Sequence, residues 1–110
     1  MSVAPKSGDP KAGMTYNIIL APQAVRDLRA LKTQLRSGVR VAIERHLRNE
    51  PTKVSKSRIK RLRGLSRPQY RLRVDEIRVF YDVSGDCVEV LAIIPKSGVD
   101  AWLRQAGEAE

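Results

Sequence analysis

Cysteine and histidine each occur once in the 110 residues, as Cys87 and His46. One thiol closes no internal disulfide, and one thiol with one imidazole falls short of the four donors of a structural zinc site. Aromatic residues are scarce, with one tryptophan, one phenylalanine and three tyrosines. No apolar run nears the roughly 18 residues that a membrane-spanning helix takes; the longest, such as Val90–Ile94, have the length of a strand. Met1–Gly13 (MSVAPKSGDPKAG) holds no apolar stretch to serve as a secretory signal. These absences lead us to expect a cytoplasmic chain with no metal site, no small-molecule cofactor and no membrane attachment.

Acidic residues are missing from one long segment. Between Pro51 and Val74 stand Lys53, Lys56, Arg58, Lys60, Arg61, Arg63, Arg67, Arg71 and Arg73, with no Asp or Glu among them. From Asp75 onward the balance reverses, with eight acidic residues against Arg78, Lys96 and Arg104. A formal net charge of +9 concentrated in this way makes a positive field suited to a polyanion. The segment suits RNA or an acidic partner, and Lys53, Lys56, Arg58, Lys60, Arg61, Arg63 and Arg67 are its candidate RNA-binding residues. With 42% hydrophobic residues the chain also has enough apolar material for a core.

The pattern of elements predicts an α+β fold. Residues 1–13 are polar and punctuated by Pro and Gly, a disordered leader before a domain over residues 14–106, with 107–110 as a disordered tail. Thr15–Leu20 (TYNIIL) is β-branched and apolar, a first strand. Pro22 suits the first position of a helix, and Ala24, Val25, Leu28, Leu31 and Leu35 form one apolar stripe along it. Ser37-Gly38 is expected to break this helix. A second follows with Val39, Ala42, Ile43 and Leu47 on one side, ending at Asn49-Glu50-Pro51. His46 lies beside that seam with only Glu50 at i+4 to orient it, which reads as a partly buried helix histidine and not as a catalytic one.

Three runs of period two then form an antiparallel meander: Tyr70–Val74, Ile77–Val83 and Val88–Ile94. In the last, Val88, Val90, Ala92 and Ile94 are expected to share one face. Gly98–Ala106 is expected to close the chain as a short helix.

The tight connection Asp75-Glu76 fixes a register. If Val74 pairs with Ile77, then Arg73 faces Arg78, Arg71 faces Phe80 and Tyr70 faces Tyr81. Directly opposed residues lie on the same side of an antiparallel pair. Tyr70, Leu72, Val74, Ile77, Val79 and Tyr81 then look toward the helices, and Arg71, Arg73, Arg78 and Phe80 look away. Opposed like charges disfavour pairing by up to about 1 kcal/mol, so the cluster suggests a ligand. Guanidinium groups are planar multidentate donors that match phosphate, and the Phe80 ring is a candidate platform for an unpaired base.

Tyr16–Leu35, Arg61–Leu65 (RLRGL) and Tyr70–Val83 (YRLRVDEIRVFYDV) together resemble the RelE/ParE superfamily of bacterial toxins. The resemblance spans about Thr15 to Leu103 and is nearer to the RelE type. It implies an N-terminal strand, a two-helix hairpin on an antiparallel sheet, and a toxin of a type II toxin–antitoxin system. It further implies a ribosome-dependent endoribonuclease (mRNA interferase) whose partners are a cognate antitoxin, the ribosome and mRNA. The family's basic residues around the scissile phosphate match Arg71, Arg73 and Arg78. Lys96-Ser97 stands where the family often has a further arginine, so Lys96 is the fourth candidate, and Trp102-Leu103 stands where it often has a tyrosine.

Without a metal-ligand set, the expected chemistry is attack of the ribose 2′-OH on its own 3′ phosphate. Arginine is a poor base, its pKa lying above roughly 12, so the proton acceptor is either Lys96 or a group of the ribosome. Two other readings compete. One is a ParE-like inhibitor of DNA gyrase, and the other a non-enzymatic RNA-binding module of the same fold.

Overall fold

The computed structural model describes residues 15–110, so the leader expected over residues 1–13 lies outside the described residues. The chain runs β1 (Asn17–Leu20), α1 (Pro22–Ala30), α2 (Thr33–Ala42) and a π-helical turn (Ile43–Leu47). There follow β2 (Ile59–Arg61), β3 (Leu65–Arg67), β4 (Tyr70–Val74), β5 (Ile77–Ser84), β6 (Cys87–Pro95), a 3-10 turn (Lys96–Gly98), α3 (Val99–Ala106) and β7 (Glu108–Ala109). Five strands form one sheet in the order β1-β6-β5-β4-β2, and β3 pairs with β7 in a separate ribbon. The α+β class, the first strand, the helix pair and the closing helix all match the expectation.

The register predicted across Asp75-Glu76 is the one observed, from Val74↔Ile77 to Tyr70↔Tyr81. Asp75 takes the left-handed backbone conformation at φ 53°, which a short polar side chain tolerates better than a bulky one. On the inner face, Leu72, Ile77, Val79, Tyr81, Val88 and Val90 meet Ala24, Leu28, Val39, Ile43 and Leu47 from the helices. Fully buried Tyr81 donates its hydroxyl to the Pro51 carbonyl at 2.6 Å, and burial pushes its phenol pKa up.

Four features depart from the expectation. First, the sheet is not wholly antiparallel, because β1 runs parallel to β6, with Ile18 opposite Val88. The β1 edge stops at Leu20, and α1 continues over β6, where Asp27 accepts the Ile93 N–H at 2.9 Å. Second, the first helix breaks at Leu31-Lys32, both extended, and Ser37-Gly38 lies inside α2. The Arg36 guanidinium ties this joint, donating to the Arg29 carbonyl and to the Thr33 hydroxyl. The break resets the helical phase, so Leu35 leaves the stripe and is exposed.

Third, the alternation in β6 changes sides. Phe80 pairs with Ala92 but Tyr81 pairs with Val90, leaving Leu91 as an extra residue in a β-bulge. Past it, Ile93 joins the inner core, while Ala92 and Ile94 turn outward with Phe80. Fourth, the 107–110 segment does not follow the expected disorder, since Glu108–Ala109 pairs antiparallel with Leu65–Arg67.

Candidate nucleic-acid interface

The outer face of the sheet holds two neighbouring surfaces of opposite character. One is apolar: α3 lies over Phe80, Ala92 and Ile94 with Val99, Trp102 and Leu103, and Leu62 packs at its edge. Trp102 stacks on Phe80 with ring centroids 4.9 Å apart and donates its indole N–H to Gln23 of α1 at 3.2 Å. Phe80 is fully buried, which corrects its assignment as an RNA-stacking platform. The outer face is apolar there, and α3 covers it.

The other surface is cationic. Arg73 stands opposite Arg78 across the hairpin, with Arg71 next along β4 and Lys60 opposite Arg71 on β2. Arg71 is half-buried and its Nε is shut from water with no hydrogen-bond partner. Burial, and after it the fields of Arg78 and Arg73, hold its pKa below the usual arginine range. Arg78 and Arg73 thus both act on Arg71, and an anion placed among the three would lower the energy of the cluster.

Their freedom differs. Arg73 is exposed and lines a hollow of about 190 Å³ with Ser57, Arg58 and Asp75. Arg78 folds back, donating to the Asp75 carbonyl at 2.7 Å and the Ile77 carbonyl at 3.1 Å. It therefore braces the turn as well as charging the face. Lys96 is exposed, and its backbone N–H donates to the Glu76 carbonyl at 2.7 Å, seating it beside the same turn.

The basic segment divides. Lys56, Lys60 and Arg63 are exposed, while Lys53 makes only a long, solvent-exposed contact with Glu50 at 3.8 Å. Arg61 turns to the helix side, where it lies 5.4 Å over the Tyr70 ring and donates to the Leu62 and Gln69 carbonyls. Arg67 is paired with Asp82 at 3.2 Å and Glu89 at 3.4 Å. That corrects its RNA-binding assignment, because its charge is already matched by carboxylates from β5 and β6. Asp82 also accepts the Gln69 N–H at 2.7 Å, yet burial holds its carboxyl above the ordinary range.

Arg58 points away from the arginine face toward the helices, where its Nη1 donates to His46 Nε2 at 3.2 Å. No spacing in the sequence marks this pair, since the residues belong to different elements and their approach depends on the loop between them. Among the described residues, no helix is long and apolar enough to cross a membrane.

The fold has counterparts. A RelE–RelB complex from Pyrococcus horikoshii OT3 contains a chain 26% identical to this one, with a TM-score of 0.61 over 76% of this chain and 97% of that one. The RelB–RelE antitoxin–toxin complex from Methanococcus jannaschii gives 23% identity and a TM-score of 0.61 over 76% and 96%. The RelBE2 toxin–antitoxin complex from Mycobacterium tuberculosis gives 24% and 0.59 over 74% and 99%. No curated protein sequence matches the chain. A family model described as the ParE toxin of the type II toxin–antitoxin system parDE matches residues 18–99. With that match laid over a RelE-like fold, the chain belongs to the ParE toxin family, within the RelE/ParE superfamily of type II toxin–antitoxin systems.

Proposed function

We propose that this toxin is a ribosome-dependent endoribonuclease of the RelE kind, which cuts mRNA in the cytoplasm and is held in check by a cognate antitoxin. The observation that carries this reading is the placement of Arg71, Arg73 and Arg78 on one face, Arg73 directly opposite Arg78 and Arg71 half-buried with its Nε lacking a hydrogen-bond partner. Such a cluster costs stability in the free protein and is relieved by a phosphodiester. It also meets the main demand of the reaction, which is preplaced positive charge where the phosphoryl oxygens become more negative. The 2′ oxygen attacks phosphorus and the bond to the 5′ oxygen breaks, leaving a 2′,3′-cyclic phosphate and a 5′-OH. The 2′-OH proton passes to a ribosomal group and the leaving oxygen takes up a proton from the same surroundings, while exposed Lys96, a donor only, adds positive charge beside the turn. The similarity to RelE chains solved with RelB supports the antitoxin as partner.

The test is brief expression followed by primer extension on cellular mRNA. The wild type produces new mRNA ends and growth arrest. Arg71→Ala and Arg73→Ala each lower cleavage by about 10²–10³-fold, the usual loss of one transition-state donor, with an unchanged circular dichroism spectrum. Arg78→Ala is the poorer probe, because it also unties the turn. Intact mRNA together with gyrase-linked DNA breaks would overturn the reading in favour of a gyrase-directed toxin. One observation favours that second reading: Trp102 is stacked inward on Phe80 and offers no hydroxyl at the place of the family's tyrosine.

A further inference from the structure

A second hollow, on the helix side of the β2 edge, is unused by the chemistry above. It measures about 150 Å³ and is lined by Arg45, His46, Glu50, Lys53, Ser55, Arg58 and Ile59. Arg58 borders both this hollow and the one that holds Arg73, and its carbonyl accepts the Arg73 N–H at 2.8 Å. The two recesses therefore lie on either side of one residue at the open edge of the sheet.

The chemistry of the lining suits an anion. Arg45, Lys53 and Arg58 outnumber the carboxylate of Glu50, which is itself exposed and only 3.8 Å from Lys53. Ser55 Oγ accepts the N–H groups of Arg58 and Ile59 at 3.0 and 3.3 Å, leaving its own hydrogen to donate. His46 belongs to a π-helical turn whose Arg48 N–H reaches back to the Ile43 carbonyl at 3.3 Å. Because an arginine only donates, the contact from Arg58 requires His46 to be neutral, with Nε2 as acceptor and the proton on Nδ1. Burial, then Arg58 and Arg45, keep the imidazole pKa below its ordinary value.

We propose that this hollow is a second phosphodiester site, which takes a backbone phosphate of the RNA whose neighbouring segment lies on the arginine face. The strand passes around the β2 edge with Arg58 between its two contacts. This rests on the ribonuclease reading for the identity of the ligand. An anion here offsets the fields of Arg45 and Arg58, so the imidazole gains a proton more easily when the site is filled. By linkage, RNA binds more tightly as pH falls through the His46 titration.

His46 is the sole histidine of the sequence, so its ring resonances report on the hollow without any assay of activity. The experiment follows the His46 titration by NMR on the whole chain at low ionic strength. The probe is a short single-stranded 2′-O-methyl oligoribonucleotide, which cannot be cleaved. Saturating probe is expected to raise the His46 pKa by on the order of one pH unit. Arg45→Ala and Lys53→Ala, both at exposed positions, should shrink that rise, and Arg71→Ala should leave most of it. A titration unmoved by probe bound at saturation overturns the proposal. So does an equal rise with an oligoglutamate peptide, which would mark a site for an acidic protein. If cleavage fails in cells while the oligonucleotide still moves His46, the ribonuclease reading falls and the phosphate site stands.

Discussion

Arg71 carries a buried, unpartnered Nε and, under the proposed ribonuclease reading, a phosphate contact, whereas Phe80, directly across from it, carries only packing. Phe80→Ala should destabilise the fold by about 3–5 kcal/mol, the usual cost of emptying a buried aromatic site. A ring used for base stacking at the surface would cost almost nothing in a urea titration. Asp27 shows the same kind of hidden work, accepting the Ile93 N–H where β6 runs past β1. Asp27→Ala should cost about 1–3 kcal/mol, because the Ile93 N–H is then left without an acceptor; thermal unfolding measures it. The outward aim of Arg71, Arg73 and Arg78 was legible, since strand alternation and a two-residue turn determine it. Burial of Phe80 was not, because it depends on Trp102 returning from a later helix. The partners of Arg67 were equally hidden, since Asp82 and Glu89 reach it only through the fold.

At the scale of elements, one inserted residue and one displaced joint account for most of what period counting misjudged. The bulge at Leu91 turned Ala92 and Ile94 to the outer face, where α3 rests on them. Without that change of side, β6 would present Leu91 and Ile93 outward instead. The break at Leu31-Lys32 had no Gly or Pro to announce it, whereas Ser37-Gly38 announced a break that α2 does not make. Gly38 is exposed, mid-helix and has nothing within 4 Å of where a Cβ would stand. Gly38→Ala should therefore stabilise the protein by about 1 kcal/mol, read as a higher midpoint of thermal unfolding. The short strands β2 and β3 escaped notice because three residues rich in charge show no alternation to count.

For the whole molecule, charge governs behaviour in solution. His46 is held neutral in the folded state, with its pKa below that of the unfolded chain. Its contribution to stability is complete above the ordinary histidine value of about 6.5 and declines as pH falls through the lowered one. His46→Gln should flatten that part of a stability–pH profile. The acid-free segment was plain from composition, yet its division into exposed lysines, a ring-stacked Arg61 and a paired Arg67 became visible only in three dimensions. The pairing of β1 with β6 has a consequence for the timing of synthesis. The opening strand must wait for nearly the last one, so its edge stays unsatisfied until residue 90 has been added and has left the ribosome. The sheet thus closes around β1 only through a contact that spans about seventy residues, Ile18 to Val88, and its folding is correspondingly slow.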